Sequence, residues 1–260
     1  MIRVGVLGAL GNMGRAVCNA VNADSETVLV AAVDPRANGE IDQSIGIRVH
    51  EDIEVLSQAE ADVAVDFTHP GSVMDNVRWC VEHAVDVVVG TTGLSASDLD
   101  KVRAMIDDEG NESNVFVAPN FAIGAVLMMR FSAQASRFLP AVEIVELHHD
   151  GKADAPSGTS LRTAEEIAAA RGSAYEPKVV STESVSGARG ASVEGIPIHS
   201  VRLPGLVAHQ EVLLSGPGQS LTIRHDSYDR ASFMPGVLLA VKKIREHPGL
   251  TVGLENLLEL

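Results

Sequence analysis

The stretch Ile2-Arg3-Val4-Gly5-Val6-Leu7-Gly8-Ala9-Leu10-Gly11-Asn12-Met13-Gly14 decides the fold. Ile2–Leu7 is a short apolar run rich in branched residues, which reads as a buried strand. Gly8 to Gly14 fits G-x-x-G-x-x-G; the commoner dinucleotide fingerprint carries Gly where Leu10 stands. Arg15–Asn22 then reads as a helix, with Ala16, Val17, Ala20 and Val21 on its apolar side. A second strand, Thr27–Val33, ends on Asp34, 20 residues past Gly14. That is the pattern of a βαβ unit that holds a dinucleotide. Small residues let the backbone approach a pyrophosphate. The helix start offers N–H groups and the positive end of its dipole. Asp34 suits the hydroxyls of an adenosine ribose, and Arg36 suits a 2′-phosphate, so this loop accepts NADH or NADPH. Asn12 brings no positive charge to it.

The alternation continues outward. Glu51–Gln58 reads as a short helix, Val63–Phe67 as a strand, Pro70–His83 as a helix and Val85–Val89 as a strand. Ala96–Glu109 reads as an acidic helix and Val115–Ala118 as a strand. Strands alternating with helices predict an α/β fold, a Rossmann-like doubly wound parallel sheet with right-handed crossovers. Two more strand ends carry turns that can face a ribose or a nicotinamide: Gly90-Thr91-Thr92-Gly93 and Ala118-Pro119-Asn120-Phe121. Taken singly, each also reads as ordinary turn chemistry.

Past residue 122 the pattern changes. Ile123–Phe138 reads as a long helix, Val142–Leu147 as a strand and Thr159–Ala170 as a helix. Lys178–Ser181, Ile198–Leu203, Ala208–Ser215 and Ser220–His225 are strand runs among Gly-rich turns, which predicts a mixed sheet in a smaller α+β domain. Phe233–Arg245 returns to helix. The expected division is 1–121, joined by the returning 233–260, as the dinucleotide-binding domain, with 122–232 as a substrate domain. Asn120–Gly124 and Ser232–Gly236 are the hinge candidates.

Composition narrows the partners. The formal net charge is -15, and no basic run occurs, which argues against nucleic acid and anionic membrane. No apolar run is long enough to span a bilayer. Cys18 and Cys80 match no metal spacing and read as core thiols in a reducing, cytoplasmic setting. The charge is uneven: residues 1–130 hold 8 basic and 20 acidic residues, and residues 131–260 hold 12 and 15. An anionic cofactor in the first half must therefore rely on local backbone dipoles.

The second half carries the most informative segment, Glu143-Ile144-Val145-Glu146-Leu147-His148-His149-Asp150-Gly151-Lys152-Ala153-Asp154-Ala155-Pro156-Ser157-Gly158-Thr159-Ser160. His148 is placed to act as a general acid near neutral pH, with Lys152 a second cation and proton donor. Gly158 and Thr159 open a helix, where N–H groups and a hydroxyl suit a carboxylate. These groups converge on a small anionic substrate with a protonatable centre. Adjacent His148 and His149, with no Cys nearby, do not make a zinc pair.

This segment resembles the signature of the 4-hydroxy-tetrahydrodipicolinate reductase (dihydrodipicolinate reductase) family, E-[IV]-x-E-x-H-x3-K-x-D-x-P-S-G-T-A. It matches at every specified position but the last, where Ser160 replaces Ala. The resemblance spans nearly the whole chain. It includes Gly8–Met13 with Gly14-Arg15, Asp66-Phe67-Thr68, Gly90–Gly93, Ala118–Phe121 and Arg230 to Gly236. It implies reduction of a cyclic dicarboxylate, made from pyruvate and aspartate semialdehyde, to tetrahydrodipicolinate in diaminopimelate and lysine biosynthesis. NADH or NADPH would give hydride to ring C4, and water would leave.

The resemblance also implies roles. His148 and Lys152 match the catalytic pair, and His149, Lys152, Gly158 and Thr159 match carboxylate contacts. Gly8–Met13, Asp34, Gly90–Thr92 and Ala118–Phe121 match cofactor contacts. A homotetramer assembled through the second sheet is implied too. Where some members carry an acid followed directly by Arg, this chain has Asp34-Pro35-Arg36, so the choice of NADH or NADPH stays open. Two other readings compete: a different two-domain NAD(P)-dependent dehydrogenase acting on an amino-acid semialdehyde, and a non-catalytic NAD(P)-sensing protein.

Overall fold

The computed structural model describes residues 1–108, 110, 112–171 and 182–258. They fall into two units, Met1–Phe121 with Arg230–Leu260, and Ala122–Asp229. In chain order the first runs β1 (Ile2–Leu7), α1 (Asn12–Ala23), β2 (Thr27–Val33), β3 (Ile41–Asp42), β4 (Ile47–His50) and α2 (Val55–Gln58). It continues with β5 (Val63–Asp66), α3 (Val73–Glu82), β6 (Asp86–Val89), α4 (Ala96–Asp108) and β7 (Val115–Val117). The second unit holds α5 (Ile123–Ser136), β8 (Ala141–His148), α6 (Gly158–Arg171), β9 (Ala191–Val193), β10 (Ile196–Arg202), β11 (Ala208–Gly216) and β12 (Gln219–Ser227). The chain then returns through a 3-10 turn (Arg230–Phe233), α7 (Met234–Lys243) and β13 (Leu250–Val252).

The first sheet has the order β13-β7-β6-β5-β1-β2-β4-β3, parallel throughout except for β3 against β4. Each position of β5, β6 and β7 is buried, which is why those strands read as unbroken apolar runs. From β1 the chain first builds toward β2 and β4, then crosses to β5 and beyond. The order therefore reverses at β1, the arrangement of a doubly wound Rossmann sheet, whose ligand crevice opens where the order reverses.

The second sheet has the order β12-β11-β8-β10-β9 and is mixed, with β8 and β10 parallel and the other pairs antiparallel. Period-two alternation puts Val142, Ile144, Ile198, Val212 and Leu214 on one buried face. At the far end of that face the apolar residues give way to Glu146, His148, Arg202 and Gln210, brought together by the registers of β10 and β11 on β8.

Several sequence expectations shift. α1 starts at Asn12, not Arg15, because the second half of the glycine loop is already the first helical turn. The helix expected over Glu51–Gln58 shrinks to Val55–Gln58, and β3 and β4 arise in the polar stretch before it. α3 starts at Val73 rather than Pro70, because His69 to Ser72 forms a turn in which the His69 carbonyl accepts from Ser72 and Val73. α7 ends at Lys243, and β13 adds a parallel strand beside β7 that the sequence did not announce; β9 was also unforeseen. The strand expected at Lys178–Ser181, and Glu109 at the end of α4, lie outside the described residues. Cys18 and Cys80 are buried and unbonded to each other; burial pushes the Cys18 thiol up to about 12. No helix among the described residues is long and apolar enough to cross a membrane.

Candidate active site

The glycine loop is first of all a packing device. Gly8 has φ +79°, and a Cβ there would lie 2.5 Å from the Phe67 carbonyl oxygen. A Cβ on Gly14 would lie 2.0 Å from the Gly8 oxygen, so only glycine lets α1 sit this close to the end of β1. The loop also consumes most of its own donors. Gly8 and Ala9 N–H bond the Val33 carbonyl, Gly11 N–H bonds Gly8, and Leu10 N–H donates to Asp34 Oδ2 at 3.0 Å. Asn12 and Met13, the first two residues of α1, have N–H groups with no acceptor among the described residues. They are the donors left for a phosphate at this helix start.

A cavity of about 740 Å³ opens here, lined among others by Gly8, Gly11, Asp34, Arg36, Phe67 and Thr68. Asp34 is only 2% exposed. Its oxygens accept from Leu10 N, Arg36 N, Arg36 Nε and Arg36 Nη2. Burial alone would raise this carboxyl; Arg36 and the backbone donors outweigh burial and hold it below the ordinary range. Arg36 remains 66% exposed. Glu51 and Asp52 also line the cavity, a wall that sequence reasoning missed because they follow the unforeseen β4.

Asp66, buried at the end of β5, ties the next loops together. It accepts from Thr68 N and Oγ1, Asn76 Nδ2 and Thr91 Oγ1 at 2.6–3.0 Å. The Thr91 hydroxyl is thus turned inward, and Thr92 is exposed. Ala118 and Phe121 are buried, so their side chains serve packing. The Phe121 ring lies 5.8 Å from that of Phe67 and 6.0 Å from that of Phe116. What Gly90–Thr92 and Ala118–Phe121 can present is mainly backbone, with Pro119 exposed and Asn120 half-buried.

In the second unit, the polar end of the β8 face carries the cations. His148 Nδ1 meets Glu146 Oε2. Glu146 is 0% exposed, and its two oxygens accept from Arg202 Nη1 and Nη2 at 3.0 and 2.8 Å. Burial would raise the Glu146 carboxyl, but donors from Arg202, Ser200 and His148 hold it below the usual carboxylate range. Burial lowers the His148 imidazole; Glu146 opposes that, and Lys152 and Arg202 add to it. Lys152 Nζ donates to Asp154 Oδ1 at 2.7 Å. His149 is exposed on the same turn.

α6 begins at Gly158, with Ser157 as its cap: the Ser157 hydroxyl accepts from Ser160 N–H at 3.2 Å. Ser160 Oγ donates to Gln210 Oε1, Gln210 Nε2 donates to Thr163 Oγ1, and Thr163 Oγ1 donates to the Thr159 carbonyl, at 2.7–2.8 Å. The helix start is thereby tethered to β11. Sequence reasoning did not single out Arg202 or Gln210, since each comes from a strand about fifty residues downstream of its partner. No cluster of His, Cys, Asp or Glu fit to hold a metal occurs among the described residues.

Comparison with known proteins covers both halves. The family model described as dihydrodipicolinate reductase, N-terminus, matches residues 2–121, and the one described as dihydrodipicolinate reductase, C-terminus, matches residues 124–258. The 4-hydroxy-tetrahydrodipicolinate reductase of Nocardia farcinica is 53% identical over 262 residues, covering 100% of this chain and 99% of that one. That of Corynebacterium diphtheriae is 49% identical over 261 residues, with the same coverage. The dipicolinate-bound dihydrodipicolinate reductase from Paenisporosarcina sp. TG-14 matches with a TM-score of 0.90 at 42% identity, over 99% of this chain and 100% of that one. An amine dehydrogenase from Mycobacterium smegmatis, at 16% identity and a TM-score of 0.64, shares the fold alone. Matched along both units by family models and relatives alike, this chain belongs to the dihydrodipicolinate reductase family.

Proposed function

We propose that the chain reduces 4-hydroxy-tetrahydrodipicolinate to tetrahydrodipicolinate with NADH or NADPH, as a step of diaminopimelate and lysine biosynthesis. The observation that carries this reading is the polar end of the β8 face. There His148, Lys152 and the start of α6 stand in one short segment of a chain 53% identical to a named reductase. Met1–Phe121 with the returning segment is read as the cofactor unit and Ala122–Asp229 as the substrate unit.

The nicotinamide, when bound, supplies hydride for C4 of the ring; the loop that packs Gly8 against Gly14 and leaves Asn12 and Met13 N–H open fits its pyrophosphate. Once the C4 hydroxyl and a C3 proton have left as water, opening a C3–C4 double bond, His148 delivers the proton that C3 takes up as C4 is reduced. With Nδ1 held by the Glu146 carboxylate, Nε2 is the site that gains and gives up that proton. Lys152 and His149 pair with one ring carboxylate, and the N–H groups and hydroxyl at Gly158 and Thr159 take the other. Burial lowers the proton affinity of His148 in the free protein, and the dianionic substrate favours its protonation.

NADH is the better guest. Asp34, Glu51 and Asp52 face the cavity against Arg36, and Arg36 already spends two side-chain donors on Asp34. That balance disfavours the extra charge of a 2′-phosphate. A homotetramer through the second sheet is also proposed. The face opposite the buried one carries Val145, Leu147 and Val201 half-buried and Leu213 exposed, which suits contact with another copy.

A complex with pyridine-2,6-dicarboxylate and NADH tests the assignment. The dicarboxylate is expected beside Lys152 and Thr159, and binding elsewhere would sink the site map. Turnover is expected only with the product formed from pyruvate and aspartate semialdehyde. Turnover of an amino-acid semialdehyde instead would favour another dehydrogenase, and tight NADH binding without any turnover a nucleotide sensor.

A further inference from the structure

His148 and Lys152 are not held independently. Parallel pairing of β10 with β8 sets Ser200 opposite Glu146 and Arg202 opposite His148. Arg202 Nη1 and Nη2 bond the Glu146 carboxylate that receives His148 Nδ1. The same Nη2 donates to the Asp154 carbonyl at 2.6 Å, and the Asp154 side chain takes Lys152 Nζ. One guanidinium therefore touches both the carboxylate behind His148 and the turn that carries Lys152.

We infer that Arg202 is a positioning residue for the reaction, a brace that fixes Glu146 behind the proton-donating His148 and the Asp154 turn beside the carboxylate-binding Lys152. The inference rests on the roles given to His148 and Lys152 above. A fully buried carboxylate needs a partner, and only a planar fork reaches two carboxylate oxygens and a carbonyl lying in another direction. The charged groups around His148 are Glu146 from its own strand, Arg202 from β10 and Lys152 from the following turn; β11 sets neutral Ala208 opposite it. Glu146 and Arg202 therefore act on the imidazole with opposite sign.

The test compares Glu146→Gln, Arg202→Met and Arg202→Lys with His148→Gln in the full chain, by kcat and KM across pH and by pyridine-2,6-dicarboxylate titration. Arg202→Met is expected to lower kcat roughly 10- to 100-fold, less than loss of the proton donor itself, because Arg202 acts through Glu146. It should weaken dicarboxylate binding and leave NADH binding intact. The basic limb of the kcat profile, where the imidazolium loses its proton, should move to higher pH in Arg202→Met, because a cation has left. It should move to lower pH in Glu146→Gln, because an anion has left. Arg202→Lys should keep the limb near its original place but not restore dicarboxylate affinity. If Arg202→Met loses NADH binding, and so has failed to fold, Arg202→Lys carries the dicarboxylate readout and Glu146→Gln the limb. Unchanged kcat, limb and dicarboxylate affinity in the folded Glu146 and Arg202 variants would overturn the brace, with His148→Gln still impaired. If His148→Gln kept full turnover, the role of His148 would fail instead, and dicarboxylate affinity in the Arg202 variants would decide whether Arg202 supports Lys152.

Discussion

The two candidate sites are built from different materials. In the proposed nucleotide crevice the phosphate-facing part is backbone: glycines that let a helix approach a strand, and N–H groups at the start of α1. The proposed substrate loop relies on side chains of specified type, His148 held by the buried Glu146 and Lys152 by the exposed Asp154. A backbone site tolerates varied side chains but no added Cβ. A side-chain site tolerates backbone variation but no change of functional group. The same substitution logic therefore predicts opposite failures in the two places.

The largest effect is expected in the side-chain site. His148→Gln or Lys152→Ala should lower kcat by about 10²- to 10⁴-fold, the range of a positioned acid or base. Fluorescence titration should show NADH binding unchanged, because neither residue belongs to the unit proposed to hold the cofactor. Wild-type turnover in both variants would remove the distinction between the sites. The converse variant is Gly14→Ala. Its Cβ would fall 2.0 Å from the Gly8 oxygen, an overpacking expected to cost about 1–3 kcal/mol. A lower Tm and weaker NADH binding should appear together. Lost NADH binding with an unchanged Tm would mean that the glycine is reserved for the ligand and not for the fold.

The contrast also explains what could be read in the sequence. β1 and β2 fall on the expected residues, because largely buried strands leave mostly apolar runs, interrupted in β1 by Arg3. β13 and β4 were not legible: they are short, only partly buried, and defined by pairing with β7 and β2 rather than by their own composition. The glycine spacing pointed to a dinucleotide loop. It did not reveal that Leu10 N–H is spent on Asp34, or that Arg36 folds back on the same carboxylate. In the substrate loop, residue types pointed to His148, Lys152, Gly158 and Thr159. The supports were invisible because Arg202 and Gln210 reach the loop only through the registers of β10 and β11 on β8.

His148 lies below its ordinary value in the free protein, first because of burial and then because of Lys152 and Arg202, despite Glu146. A bound dicarboxylate brings negative charge to the ring and raises its proton affinity. Near the ordinary histidine value of about 6.5, binding of pyridine-2,6-dicarboxylate should therefore take up part of a proton. Calorimetry in buffers of different ionisation enthalpy measures that uptake, and His148→Gln should abolish most of it. Proton release on binding would contradict the sign.

The smallest effect is expected at Ser160, where this chain departs from the family signature. The Ser160 side chain is fully buried, accepts from Ser157 Oγ and donates to Gln210 Oε1. Ser160→Ala leaves that Gln210 oxygen without its donor, at a cost of about 1 kcal/mol. The helix start is not released, because Gln210 Nε2 still holds Thr163, whose hydroxyl holds the Thr159 carbonyl. KM for the dicarboxylate should then rise by less than about fivefold, the ceiling that 1 kcal/mol allows. Gln210→Leu cuts both links and should raise KM further while lowering the Tm. If Ser160→Ala proved the more damaging of the two, the tether would run through the Ser157 cap and not through β11.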